Sequence, residues 1–148
     1  MLKVLIVDDE TVVRRGIVLG VDWASMDCVV VGEAANGEEG LAAAERYNPN
    51  LIITDVRMPR MDGIEMMRRL REKESTAHFI ILTAYDEFDY ARAALRYGAA
   101  DYLLKPFRDQ DLMSAIARVR EKEGAAQPAE DTLLLPKGDK SKYVLQTL

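Results

Sequence analysis

The sequence predicts an α/β fold built on a five-stranded parallel sheet. Two observations carry this. Five short apolar runs recur along the chain, each dominated by β-branched residues or leucine. Between them lie segments whose apolar residues recur at helical spacing. Short apolar runs of this kind suit strands buried on both faces, as in a parallel sheet. Alternation of strand and helix makes the helices crossover connections. Right-handed crossovers then leave few topologies.

The first strand is LKVLIV (2–7). A helix over about 10–21 follows, with Val13, Ile17 and Val18 at helical spacing. Trp23 is expected to pack in the loop after it. CVVVGEA (28–34) is the second strand, with Cys28 as a small core residue. The second helix, about 37–47, is alanine-rich, and Asn36 supplies its N-cap. LIIT (51–54) is the third strand and runs straight into Asp55. Pro59 bars the next helix from extending back through the loop. That helix covers about 62–74, with Ile64, Met67 and Leu70 on one side. Met58, Met61, Met66 and Met67 read as packing residues. FIILT (79–83) is the fourth strand; His78, the only histidine, opens it and is expected at the surface. A fourth helix, about 86–97, is closed by Gly98. DYLL (101–104) is the fifth strand. The fifth helix, about 108–122, carries Leu112, Ile116 and Val119 as its apolar stripe.

From about 123 the composition changes. Residues 123–139 hold Pro128 and Pro136 among glycines and mixed charge, and read as a linker. KSKYVLQTL (140–148) is helical in pattern, with Val144, Leu145 and Leu148 at helical spacing. Barely two turns of helix are marginal alone in water.

The bulk numbers exclude several classes. The chain has 148 residues, which suits one compact domain plus a tail. A net charge of -5 argues against nucleic-acid binding through a general basic surface. One cysteine forms neither a disulfide framework nor a cysteine metal cluster, and fits a reducing cytoplasm. No apolar stretch approaches the ~18–20 residues that span a bilayer. MLKVLIVDDE turns acidic too early for a signal peptide.

In open parallel sheets, ligands bind at the carboxyl ends of the strands. Here the first strand ends in Asp8, Asp9 and Glu10, the third in Asp55, the fourth in Thr83 and the fifth in Lys105, followed by Pro106. The fold brings these ends to one rim. Clustered carboxylates repel one another unless a cation sits among them. Mg²⁺ suits such oxygen ligands and usually keeps one or two carboxylates, several waters and a phosphoryl oxygen. On a regular strand Asp8 and Asp9 would point to opposite faces; past its end both can approach an ion. Lys105 and Thr83 are suited to hold the other phosphoryl oxygens. Asp55 then reads as a nucleophile that forms an acyl phosphate. Taken singly, any of these residues is more often a cap, a turn or a surface charge. An acid pair, an acid, a Thr and a Lys-Pro, each closing its own strand, is the specific signal.

These residues sit in the segments VDDE, ITDVRMPRMDG, LTAYDEFDYA and GAADYLLKPF. With them, residues 1–122 resemble the receiver domain of two-component response regulators. The resemblance implies a flavodoxin-like sheet of order 2-1-3-4-5 flanked by five helices. It implies phosphorylation of Asp55 by a partner sensor histidine kinase. Asp9, Asp55 and the backbone carbonyl of Arg57 would bind Mg²⁺, with Asp8 assisting through water. Lys105 would pair with the phosphoryl group, Thr83 would turn its hydroxyl to it, and Tyr102 would be the aromatic switch. The Lys105–Pro106 bond would be cis. Such a domain is a phosphoacceptor that assists only its own phosphorylation and dephosphorylation. Arg57 and Tyr85 occupy the two positions that tune phosphate lifetime in this family; both are bulky, which implies slow self-hydrolysis. The readout face would be the fourth helix, fifth strand and fifth helix, holding Phe88, Tyr90, Tyr97 and Tyr102, and receivers often form homodimers through it.

KSKYVLQTL resembles the opening of an AraC-type helix-turn-helix domain, which follows receivers carrying YDEFDYA and the Asp22–Trp23 pair. The chain is therefore expected to be the receiver of a longer regulator, ending just inside an output domain that alone would bind DNA. Three rivals differ at named positions. A haloacid-dehalogenase-type phosphatase wants an acid where Arg57 stands. A flavin module wants a Ser/Thr/Gly-rich loop where DDETVVRR stands. A receiver that had lost phosphorylation would not keep the complete acid, Thr and Lys set.

Overall fold

The computed structural model describes residues 1–126. The expected start of an output domain at 140–148, and all but the first residues of the expected linker, lie outside the described residues. One compact unit comprises Met1–Ile116; the second begins at Ala117. Within 1–116 the strands are β1 (Leu2–Val7), β2 (Cys28–Ala34), β3 (Leu51–Asp55), β4 (His78–Thr83) and β5 (Asp101–Leu104). All pair in parallel in the order β2-β1-β3-β4-β5, as expected. The helices are α1 (Thr11–Gly20), α2 (Gly37–Tyr47), α3 (Gly63–Glu72), α4 (Phe88–Ala91) and α5 (Asp109–Ala126).

The central strands are buried on both faces, so their sequences do not alternate. Val4 to Val7 and Leu51 to Ile53 are fully buried, and Phe79 to Leu82 nearly so. The edge strands β2 and β5 are only partly covered. Cys28 is buried, and so are all four methionines that read as packing residues. Trp23 is buried too, its Nε1 donating to the Val18 carbonyl at 3.0 Å. His78 is half-buried rather than at the surface, because it pairs with Leu51 inside the sheet.

Side chains close the open N–H groups of two helices. Asn36 accepts from the Glu39 N–H at 2.9 Å, and Glu39 reaches back to the Ala35 N–H at 2.9 Å. Asp62 accepts from the Glu65 N–H at 2.8 Å. Asp62 is therefore the cap of α3 and not part of it.

The fourth helix departs from expectation. The sequence spacing predicts one helix over about 86–97. Instead, α4 has four residues between two 3-10 segments, Tyr85–Glu87 and Arg92–Tyr97. The buried positions explain the tighter winding. Ala91 and Ala94 are buried and Tyr97 packs on the same cluster, a spacing of three that matches the 3-10 period. Gly98 ends the segment at φ 80°, where a side chain would be strained.

Helix α5 runs to Ala126, past the expected end at 122. Gly124 apart, the residues beyond 122 that are described include alanines, which favour helix. Leu112, Ile116 and Val119 are all buried, as their spacing suggested.

Candidate functional site

Register assembles the site. Val7 pairs with Thr54, so Asp8 and Asp55 leave their strands side by side. Asp55 pairs with Leu82, and Thr83 with Leu104, so Thr83 and Lys105 follow at the same level. The Lys105 N–H bonds the Thr83 carbonyl at 2.8 Å, and the Lys105–Pro106 bond is cis, as the resemblance implied.

Lys105 Nζ stands 3.3 Å from Asp55 Oδ2, 3.4 Å from Asp8 Oδ2 and 3.5 Å from Glu10 Oε1. Asp8 is fully buried and Asp55 is 6% exposed, while Asp9 is exposed. The other Asp55 oxygen, Oδ1, accepts from the Val56 N–H at 2.8 Å, which leaves Oδ2 on the lysine side. Asp8 Oδ1 accepts from the Glu10 N–H at 2.9 Å, and the Asp8 carbonyl takes Arg14 Nη1 at 2.6 Å.

Burial, and then the Asp8 carboxylate, push Asp55 up to about 6 against the pull of Lys105. Burial likewise raises Asp8. Burial works against the Lys105 ammonium, but the Asp55 and Asp8 carboxylates outweigh it and raise its pKa. The site thus holds more negative charge than one ammonium relieves. Asp8, Asp9 and Asp55 each offer a carboxylate oxygen, and these oxygens lie within 4.8 Å of one another. That donor set, hard and anionic, fits a divalent cation with oxygen preference.

Thr83 is buried, and its hydroxyl donates to the Ala84 carbonyl at 3.2 Å. Tyr102 is half-buried and meets Phe88 edge to face, with ring centroids 5.3 Å apart. Of the aromatics on the expected readout face, Tyr90 is exposed, while Phe88, Tyr97 and Tyr102 are half-buried. Arg57 stands at the mouth of the site, its side chain 62% exposed. Tyr85 lies in the turn Tyr85–Glu87, and its side chain is outside the described part of the structure.

Two contributors were not read from the sequence as parts of the site. Glu10 reaches Lys105, and Glu87 lines the same cavity as Asp55 and Arg57. Glu10 was visible as a strand-end acid. Nothing in the spacing ties Glu87 to Arg57. Gly63 gives the site its tight floor: a Cβ there would lie 2.2 Å from the Asp55 carbonyl oxygen.

Comparison with known proteins agrees with this geometry. Residues 4–117 match the response regulator receiver domain. The chain is 35% identical over 119 residues to an uncharacterized transcriptional regulatory protein, YesN, of Bacillus subtilis, covering 80% of this chain and 32% of that protein. It spans roughly a third to a half of the length of the curated relatives it matches, 32% to 56%. Among solved structures, the REC domain of AraT, a response regulator from Geobacillus stearothermophilus, superposes with a TM-score of 0.81. The two share 44% identity, over 85% of this chain and 98% of that one. A two component transcriptional regulator AraC from Clostridium phytofermentans gives a TM-score of 0.79 at 30% identity, over 87% of this chain and 100% of that one. The family match covers most of the chain, and the acids, hydroxyl and lysine meet at the strand ends of the fold that family shares. The chain belongs to the receiver domain family of two-component response regulators.

Proposed function

We propose that Asp55 accepts a phosphoryl group from a sensor histidine kinase, and that Thr83 and Tyr102 pass the change on to an output domain. The observation that carries this reading is the Asp55 carboxylate itself. It is buried, tethered through Oδ1 to the Val56 N–H, and presents Oδ2 to Lys105 at 3.3 Å beside Asp8. In the transfer, a carboxylate oxygen of Asp55 attacks phosphorus. The bond from phosphorus to the donor's histidine nitrogen breaks, and its electron pair stays on the imidazole. Lys105 then pairs with a phosphoryl oxygen.

Mg²⁺ would be held by Asp9, Asp55 and the backbone carbonyl of Arg57, with Asp8 assisting through water. When bound, it supplies positive charge against the phosphoryl oxygens and the acids around them. Thr83 has a hydroxyl free to turn from the Ala84 carbonyl to a stronger acceptor, and Tyr102 lies two residues before Leu104, the partner of Thr83 across the sheet. Bulky Arg57 at the mouth favours slow self-hydrolysis.

A protein donor is supported by the apolar recess next to the site. Val12, Val13, Ile17, Pro106 and Phe107 line a cavity of about 540 Å³ that shares Lys105 with the acceptor pocket. Residues 1–122 are then the receiver, 123–139 a linker, and 140–148 the opening of an AraC-type output domain, through which alone DNA would be bound. Activation through the α4–β5–α5 face as a homodimer is favoured by exposed Leu95, on the 3-10 segment that continues α4, and exposed Leu104 on β5. Among the described residues no helix is long and apolar enough to cross a membrane, and we place the protein in the cytoplasm.

The test is incubation with acetyl phosphate, with and without Mg²⁺, followed by intact mass measurement beside Asp55→Asn. One phosphoryl adduct that needs both Mg²⁺ and Asp55 is expected. A folded protein with no adduct would move the weight to a binding module that works without phosphorylation. Rapid turnover with steady phosphate release would point to a phosphatase.

A further inference from the structure

Two contacts hold the Arg57 side chain, and one of them is itself anchored. Arg57 Nε lies 3.2 Å from Glu87 Oε2. The Arg57 guanidinium carbon sits 4.8 Å from the centroid of the Tyr90 ring. The Tyr90 hydroxyl donates to the carboxylate of Asp62, the cap of α3. Asp55, Arg57, Ala84, Glu87 and Lys105 line one cavity of about 270 Å³.

An arginine this exposed ordinarily samples many rotamers. Here two partners meet the guanidinium from different directions. The carboxylate binds at its edge and the ring covers its face, so the plane is fixed. Tyr90 is itself anchored to α3 through Asp62, and Glu87 is only 18% exposed, so neither support is a loose surface group.

We infer that Glu87 and Tyr90 are positioning residues: they hold the Arg57 guanidinium across the mouth of the Asp55 pocket and so set how long a phosphoryl group survives there. This rests on the phosphoacceptor reading of Asp55. In hydrolysis, water oxygen attacks phosphorus. The bond from phosphorus to the Asp55 carboxylate oxygen breaks, its electron pair returns to the carboxylate, and inorganic phosphate leaves with the protons of the water. The attacking water must come from the side of phosphorus opposite Asp55. The held Arg57 narrows that approach.

The test is a mutant cycle on the full 148-residue chain. Each protein is phosphorylated with acetyl phosphate and Mg²⁺, the donor is removed, and loss of the adduct is followed by intact mass. Glu87→Gln and Arg57→Ala should each speed release about three- to tenfold. The double variant should be no faster than Arg57→Ala alone. Tyr90→Phe, which keeps the ring, should stay closer to wild type than Tyr90→Leu. A second readout needs neither metal nor phosphate: the Arg57 Nε–H resonance should be protected from exchange in the wild type and lose that protection in Glu87→Gln. Additive rate effects, or lifetimes equal in all variants, would overturn the inference while leaving the acceptor in place. A wild type that gains no adduct on Asp55 would overturn both.

Discussion

The Lys105 ammonium lies 3.3 Å from Asp55 Oδ2, yet it does not bring Asp55 back to an ordinary carboxylate. Burial and the Asp8 carboxylate outweigh it, and Asp55 sits at about 6 instead of 3.8. Protonated Asp55 is favoured in the fold, so its stabilising effect is present at low pH and falls as pH rises through 3.8 to about 6. In Mg²⁺-free buffer at pH 7, Asp55→Asn should therefore be more stable than the wild type by roughly 1–2 kcal/mol in urea unfolding. Mg²⁺ at a hundredfold excess over its dissociation constant should stabilise the wild type by about 2.7 kcal/mol and the variant by much less. A variant less stable than the wild type without Mg²⁺ would contradict this.

Gly63 is required by close approach. Its N–H donates to the Val56 carbonyl at 2.8 Å, and a Cβ would lie 2.2 Å from the Asp55 carbonyl oxygen and 3.1 Å from Thr54 Oγ1. Backbone has to move to admit it. Gly63→Ala should cost about 1–3 kcal/mol in denaturant unfolding, as overpacking does. Because the displaced atoms belong to Asp55, Mg²⁺ affinity should fall with it. Unchanged affinity in a destabilised variant would show that the floor and the site are independent.

Arg71 links α3 to the segment after β4. It donates to the carbonyls of Tyr97, Ser75 and Ala77 at 2.7, 2.9 and 2.8 Å and lies over the Phe79 ring at 5.0 Å. Burial lowers its pKa. Arg71→Met removes the donors of three carbonyls at once and should cost on the order of 2–3 kcal/mol. Arg71→Lys should rescue little, since a compact ammonium does not reproduce the planar fork. Hydrogen exchange should quicken in 92–97 before it does in the central strands. Uniform quickening would mean Arg71 supports the whole fold rather than this segment.

Sequence and structure part company at specific residues. Asp8, Asp55, Thr83 and Lys105 were legible because each closes an apolar run, and parallel register then brings run ends together. Asn36 was legible because a cap acts on its own helix. Arg71 was not. In REK and RRL contexts it looks like Arg68 and Arg69, which pair with Glu65 on the helix surface. Only the packed fold turns one of the three inward. The broken fourth helix was hidden for a related reason. Its sequence carries helical composition and a Gly cap, but its winding follows which small residues are buried. Glu87 and Arg57 meet only because the loops after β3 and β4 lie side by side.

The proposed link between Thr83 and Tyr102 can be tested with a phosphoryl mimic in place of phosphorylation. Thr83 holds its hydroxyl on the Ala84 carbonyl, and Tyr102 rests on Phe88 with interplanar angle 61°. An edge-to-face pair is worth about 0.5–1.5 kcal/mol, enough to hold a ring in one of two nearby states without locking it. A phosphoryl group on Asp55 offers Thr83 a stronger, charged acceptor, and the turn of the hydroxyl would free room beside Tyr102. With beryllofluoride and Mg²⁺ as the phosphoryl mimic, the Tyr102 ring resonances should shift in the wild type and in Thr83→Ser. In Thr83→Ala the mimic should still bind through Lys105 and the acids, but the Tyr102 shift should be lost or greatly reduced. Phe88→Ala should move the ring part-way toward its shifted position before any mimic is added, because the contact that holds it is gone. A Tyr102 shift of full size in Thr83→Ala would mean that the ring answers to some other change at the site.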